Sequence, residues 1–258
     1  MIVHSPSNSL FFSHTVRKGS FVDFNIRVCH LMKMKCKDIN KVVGGRAIAY
    51  DRKNNVMYLG GRRGIYTYNF TTKSAEYFAE KDKSIWNIFV QKHLYYIDDN
   101  KNKLHVYENK KFKPVPEVAR IEFDIFFVSK SFTMYYSNRT ALFRAHRPVR
   151  PAKVLHNTLH VKQITQDYAT DYVFFAANEG IYHVNDIDKD KVKRTGDINQ
   201  VFGMTFKSSD SEFEPGQLIF SNKNAIITLV PGKYGDQCLE IKSRKSLFYM
   251  PEKKRKPS

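Results

Sequence analysis

The stretch that decides the fold is Met57-Tyr-Leu-Gly-Gly-Arg-Arg-Gly-Ile-Tyr-Thr-Tyr68. Two short aromatic runs flank a glycine-rich polar turn in it, which is the pattern of a β-hairpin. The first run, Met57-Tyr-Leu-Gly60, has five further copies along the chain: Leu10-Phe-Phe-Ser13, Leu94-Tyr-Tyr-Ile97, Met134-Tyr-Tyr-Ser137, Val173-Phe-Phe-Ala176 and Leu218-Ile-Phe-Ser221. Successive copies start 47, 37, 40, 39 and 45 residues apart. This spacing matches the period of about 40–45 residues of a four-stranded propeller blade.

The segments around each copy supply the other strands of a blade. A second run with period-two alternation follows most copies, as in Gly180-Ile-Tyr-His-Val184, and a short apolar run precedes them, as in Ala47-Ile-Ala-Tyr50. A more polar fourth strand, such as Ser74-Ala-Glu-Tyr-Phe78, closes the copy. The sequence therefore predicts an all-β fold, a six-bladed β-propeller of four-stranded antiparallel blades. We expect a single propeller domain over residues 1–250 and a basic disordered tail over residues 251–258.

The composition restricts the class of partner. Hydrophobic residues make up 42% of the 258 residues, but no apolar stretch approaches the roughly 18 residues that span a bilayer, so we expect no membrane partner. The formal net charge of +18 favours an anionic partner. The basic residues are spread through nearly every turn rather than massed on one element, so we do not expect nucleic acid to be that partner.

Motifs for catalysis are absent from the sequence. It contains no G-x-S-x-G elbow, phosphate-binding loop or dinucleotide fingerprint. A lactonase-like propeller would hold a metal with acidic and amide side chains from its inner strands, and Asp124 is the one acid that we place there. We therefore predict a protein that is not an enzyme, with no catalytic residues, no metal site and no cofactor.

Cysteines and sequons bear on the compartment. Cys29 and Cys36 fall on consecutive predicted strands across a hairpin, where they could form a disulfide, although three unrelated thiols including Cys238 are the alternative. Asn69 and Asn138 begin N-x-T sequons in predicted turns and are candidate glycosylation sites. These features favour a secreted, extracellular protein with a leader upstream of Met1. The basic tail resembles a nuclear localisation signal, which would instead indicate a nuclear protein.

Several motifs together resemble the insect ommochrome-binding proteins. They are the Met57–Tyr68 stretch, Thr72-Lys-Ser-Ala75, Ser84-Ile-Trp-Asn87, Pro114-Val-Pro-Glu-Val118, Gly180-Ile-Tyr-His-Val-Asn185 and Asp197-Ile-Asn-Gln-Val-Phe-Gly203. The similarity covers nearly the whole chain in order and spacing. It implies a secreted haemolymph protein that binds and transports ommochromes, which are tryptophan-derived pigments, without catalysis. The chain is more basic than the family pattern leads us to expect.

The predicted ligand site lies where the loops of one propeller face surround the channel. A small anionic aromatic ligand needs a stacking surface and cations for its carboxylates. The candidates near those loops are Trp86, Arg46, Arg62, Arg63 and Arg139. Each arginine could instead be a solvated turn residue, and Trp86 could belong to the core between blades. We expect a monomer; the alternative functions are a protein-interaction scaffold and a metal-dependent lactonase-like enzyme.

Overall fold

The fold is all-β, as the repeats predict. The computed structural model describes residues 1–33, 35–100, 103–138, 141–146, 152–167, 170, 172–185, 191–196, 198, 200–207, 217–222, 225–230 and 240–243. These residues form six antiparallel sheets of four strands each, and every sheet is built from consecutive strands of the chain. Their helical content is limited to two single-turn 3-10 helices, Ser5–Ser7 and Pro116–Val118. None of the helices in this part of the chain is long and apolar enough to cross a membrane.

Each blade runs from an inner strand at the channel to an outer strand at the rim. Blade 1 comprises β1 (Ile2–His4), β2 (Ser9–Lys18), β3 (Phe21–His30) and β4 (Lys35–Asp38). Blade 2 comprises β5 (Ala47–Asp51), β6 (Val56–Gly61), β7 (Gly64–Asn69) and β8 (Ser74–Ala79). Blade 3 comprises β9 (Ile85–Val90), β10 (Leu94–Asp98), β11 (Leu104–Glu108) and β12 (Lys111–Pro114).

The second half of the chain repeats this order. Blade 4 comprises β13 (Ile125–Val128), β14 (Thr133–Ser137), β15 (Leu142–His146) and β16 (Lys153–His156). Blade 5 comprises β17 (Val161–Gln166), β18 (Tyr172–Ala177), β19 (Gly180–Asn185) and β20 (Lys193–Gly196). Blade 6 comprises β21 (Gly203–Lys207), β22 (Gln217–Ser221), β23 (Ile226–Val230) and β24 (Glu240–Ser243). The six aromatic copies all lie on the second strand of a blade, which confirms the strand assignment from the sequence.

The blades close into a ring through their apolar faces. The inner strands contact one another in the order β1, β5, β9, β13, β17 and β21, and β21 contacts β1. A cluster of buried side chains fills each junction between neighbouring blades in the described part of the chain. In the junction between blades 1 and 2, for example, Phe11 packs with Met57 and Leu59. Burial of these large apolar side chains is the main force holding the blades together.

Blade 1 differs from the other five in the length of its central hairpin. Its strands β2 and β3 have ten residues each, whereas the inner strand β1 has three. Strand β1 pairs with Ser9–Phe11 only, and β2 continues to Lys18 paired with β3 alone. The part of β2 beyond Phe11 therefore has no inner strand between it and the channel.

The predicted disulfide is present in the outer half of blade 1. Cys29 and Cys36 are directly opposite each other in the pairing of β3 with β4, and their sulfur atoms are bonded. Cys238 and the basic tail lie outside the described residues.

Candidate functional site

The inner strands enclose a channel cavity of about 950 Å³ that all six blades line. Its aromatic lining residues are Phe12, Phe24, Tyr50, Trp86, Phe89, Phe126, Phe127 and Phe202. Its basic lining residues are Arg27, Arg46, Arg52 and Lys162, and among the described residues Asp124 is the one acidic residue of the lining. A concave aromatic surface with a few charged groups is typical of a small-molecule site, and here the balance of charge favours an anion.

We call the end of the channel where the inner strands begin the mouth. Arg46 and Phe202 directly precede β5 and β21, while Trp86 and Lys162 are the second residues of β9 and β17. Asp124, which the sequence analysis places on an inner strand, instead directly precedes β13. Because β1 is short, the segment Phe12–Thr15 of β2 also reaches the cavity at this end.

Arg46 and Trp86, both predicted from the sequence, meet at the mouth. The Arg46 guanidinium lies 5.1 Å from the centre of the Trp86 ring and 5.4 Å from the centre of the Phe24 ring. Its Nη1 also donates to Asp99 Oδ1 at 2.9 Å, and Ser84 Oγ donates to the other oxygen of that carboxylate. The guanidinium is thus fixed between two aromatic rings that three different blades bring together.

Trp86 has one edge fixed and part of its surface open to solvent. Its indole N–H donates to the main-chain oxygen of Asp124 at 2.7 Å, which ties blade 3 to blade 4. The residue is 41% exposed, so it does not belong to the core between blades. A fixed and accessible aromatic ring is a suitable stacking surface for a planar ligand.

Arg62 and Arg63, two of the other predicted arginines, do not line the cavity. Arg62 and Arg63 lie in the turn between β6 and β7, at the same end of the propeller as the mouth. Arg62 Nη2 forms an ion pair with Asp23 Oδ2 at 2.8 Å, linking blade 2 to the long hairpin of blade 1. Arg63 is exposed. Arg139 lies outside the described residues.

A charged cluster in blade 1, missed by the sequence analysis, supports the cavity wall. Asp38 Oδ1 accepts from Arg27 Nε at 2.5 Å and lies 3.2 Å from His14 Nε2. The hydrogen bond from Arg27 lowers the pKa of Asp38 below its usual value; His14 acts in the same direction, and partial burial opposes both. A signal for this pair was present in the sequence, because the predicted pairing of Cys29 with Cys36 fixes a register that places Arg27 opposite Asp38.

Lys162 and Phe202 form a second cation–aromatic pair that the sequence analysis also missed. Lys162 Nζ lies 4.5 Å from the centre of the Phe202 ring. Lys162 occupies the same position in its inner strand as Trp86 does in β9, and Phe202 the same position as Arg46. Aligning the starts of the inner strands would have placed both residues at the mouth.

Among the described residues, Arg52 is the one basic residue that lines the far end of the channel, whereas Arg27, Arg46 and Lys162 lie nearer the mouth. Burial raises the pKa of the Tyr50 hydroxyl, which stays protonated and donates to Asn55 Oδ1 at 2.9 Å. His4 Nε2 lies 2.9 Å from the same oxygen. These polar groups are engaged with each other, so the mouth is the better candidate site.

No cluster of three or more His, Cys, Asp or Glu side chains suited to a metal ion occurs among the described residues.

The two candidate glycosylation sites make local hydrogen bonds. Asn69 Oδ1 accepts from the main-chain N–H groups of Thr71 and Thr72, and its Nδ2 donates to Glu76. Asn138 Oδ1 accepts from the main-chain N–H of Ala141. Both asparagines lie at the ends of strands, and their glycosylation stays a prediction.

Three solved structures with a similar fold have low sequence identity to this chain. The chain superposes with a TM-score of 0.66 on a chain of a nidogen/laminin complex, at 12% identity over 86% of this chain and 89% of that chain. For a gluconolactonase from Xanthomonas campestris the TM-score is 0.59, at 7% identity over 80% and 76% of the two chains. For a luciferin-regenerating enzyme it is 0.53, at 8% identity over 72% of each chain. At such identities these similarities show the fold alone.

The fold and the cavity define the class: a six-bladed β-propeller with a ligand-sized, aromatic and cationic channel mouth. No model of a known protein family matches the chain. The chain is 26% identical over 228 residues to the ommochrome-binding protein of Manduca sexta. The matched region covers 87% of this chain and 80% of that protein. This similarity confirms the resemblance to the ommochrome-binding proteins that the motifs predict.

Proposed function

We propose that this protein binds and transports a planar aromatic anion of the ommochrome class at the mouth of its channel, as a monomer and without catalysis. The observation that carries the proposal is the Arg46 guanidinium held between the Phe24 and Trp86 rings at the edge of the cavity. The ring of Trp86 offers a stacking surface, and Arg46 offers a cation for a carboxylate. The relationship to a pigment-binding protein and the net charge of +18 support the same ligand class.

We also propose that the protein works outside the cell. The disulfide between Cys29 and Cys36 supports this, because disulfides persist in oxidising compartments and are rare in the cytosol. The name of the Manduca sexta relative supports an ommochrome as the cargo. The sequons at Asn69 and Asn138 fit secretion as candidate glycosylation sites.

The single tryptophan makes the binding test direct. Trp86 is the only tryptophan in the sequence, so the intrinsic tryptophan fluorescence of the protein reports on the proposed site alone. We expect xanthommatin, an ommochrome, to quench this fluorescence in a saturable manner at micromolar concentration. Absence of saturable quenching and of any absorbance change would overturn the proposal and favour a protein-interaction scaffold.

Replacing Arg46 by methionine should weaken xanthommatin binding by about tenfold or more, because a charge-assisted hydrogen bond contributes about 1.5–3 kcal/mol. Arg120→Met is the matched control, since Arg120 is an exposed arginine outside the cavity lining. Of the substitutions Arg46→Met, Arg62→Met and Arg63→Met, the first should have the largest effect. Arg46→Lys and a thermal unfolding curve for each variant separate loss of binding from loss of folding. Equal affinity of Arg46→Met and wild type would contradict the assigned role.

A further inference from the structure

Opposite positions on the mouth follow from the order of the inner strands. The ring runs β1, β5, β9, β13, β17, β21 and back to β1, so β5 lies opposite β17 and β9 lies opposite β21. Arg46 at the start of β5 is therefore opposite Lys162 at the start of β17. By the same order, Trp86 on β9 is opposite Phe202 at the start of β21.

The mouth thus carries two cation–aromatic pairs that face each other across the channel. The guanidinium of Arg46 lies 5.1 Å from the Trp86 ring, and the ammonium of Lys162 lies 4.5 Å from the Phe202 ring. Both aromatic residues keep exposed surface, with Trp86 at 41% and Phe202 at 53%. All four residues line the same cavity.

The two cations differ in how far their charge is balanced. Arg46 has an acidic partner, because Asp99 lies 2.9 Å from its guanidinium. Arg27, elsewhere on the wall, has Asp38. Lys162 has no acidic partner among the described residues and lies over the Phe202 ring. An uncompensated cation at the edge of an aromatic cavity attracts an anionic group of a ligand more strongly than a paired one does.

We propose that the mouth takes a planar aromatic dianion with carboxylates at opposite ends, lying across the channel, and that Lys162 and Phe202 form its second subsite. One carboxylate meets Arg46 beside Trp86, and the other meets Lys162 beside Phe202. This inference rests on the proposed function and adds the charge distribution of the ligand to it. A dianion should therefore bind more tightly than a monoanion with the same ring system.

The test uses two small probes with the same aromatic core. Naphthalene-2,6-dicarboxylate carries a carboxylate at each end, and naphthalene-2-carboxylate carries one. We expect isothermal titration calorimetry on the wild-type protein at neutral pH to give about tenfold tighter binding of the dicarboxylate, in line with one added charge-assisted contact. Lys162→Met should bring the ratio of the two affinities close to one.

The control is Lys92→Met, which removes the same charge from the exposed turn between β9 and β10 at the far end of the channel. This variant should keep the wild-type ratio. Equal affinities for the two probes in the wild type, or a ratio that Lys162→Met leaves unchanged, would overturn the second subsite. If xanthommatin still quenches Trp86 in that case, the proposed function stands and only the dianion assignment fails.

Discussion

Replacing Phe175 by alanine should lower the free energy of unfolding by about 3–5 kcal/mol, the usual cost of removing a fully buried phenylalanine. Phe175 lies on β18 in the junction between blades 4 and 5 and has no solvent exposure. Its ring centre is 5.6 Å from that of Tyr135 on β14, in an edge-to-face arrangement. The substitution therefore removes an aromatic pair and leaves a cavity between two blades that the surrounding sheets cannot readily close.

Equilibrium unfolding in guanidinium chloride, followed by far-ultraviolet circular dichroism, measures this loss. Phe21→Ala is the matched control, because Phe21 is also a strand phenylalanine but is 74% exposed at the end of the long hairpin. Its effect should stay within about 0.5 kcal/mol. A loss below about 1 kcal/mol for Phe175→Ala would mean that the junction between the blades repacks around the missing ring.

The repeats revealed the ring of blades because each copy contains the residues that the fold buries. Leu59, Tyr96, Tyr135 and Phe175 come from four of the copies and are all buried in blade junctions. The repeats did not predict the length of the hairpin in blade 1. No apolar side chain between His14 and Asp23 is buried, and Phe21 at the tip is exposed, so no hydrophobic pattern marks this part as strand. Main-chain pairing between β2 and β3 maintains it instead.

The sequence located one half of the mouth. Arg46 and Trp86 were found because they adjoin the starts of predicted inner strands, and the structure brings them into contact. Arg62 was selected because the turn between the second and third strands lies at the same face, but it contacts Asp23, which belongs to the part of the hairpin that the sequence did not predict. Lys162 and Phe202 stand at the equivalent strand starts, 40 residues apart like Arg46 and Trp86, so the same rule applied to lysine and phenylalanine places them at the mouth, while their contact follows only from the ring of blades.

Removing the disulfide should lower the free energy of unfolding by about 2–3 kcal/mol, because the crosslink restricts the unfolded chain over a short loop. Cys29 and Cys36 are seven positions apart, which places the expected effect at the lower end of the range for disulfides. The double variant Cys29→Ala with Cys36→Ala is preferred to serine, since Cys29 is buried and a serine there would bury a hydroxyl group. Chemical denaturation of the oxidised protein, the reduced protein and the double variant measures the loss.

The three samples separate the contribution of the crosslink from that of the thiols. The reduced wild-type protein and the double variant should be destabilised to a similar extent, because both lack the covalent bond while β3 and β4 keep their hydrogen-bonded pairing. Identical midpoints for oxidised and reduced wild type would show that the bond contributes nothing to stability.

The pairing of β3 with β4 also places Asp38 against Arg27 and His14 at the cavity wall, so loss of the crosslink should loosen the support of the mouth as well. Because the crosslink supports the cavity wall, xanthommatin should bind the oxidised form at least as tightly as the reduced form.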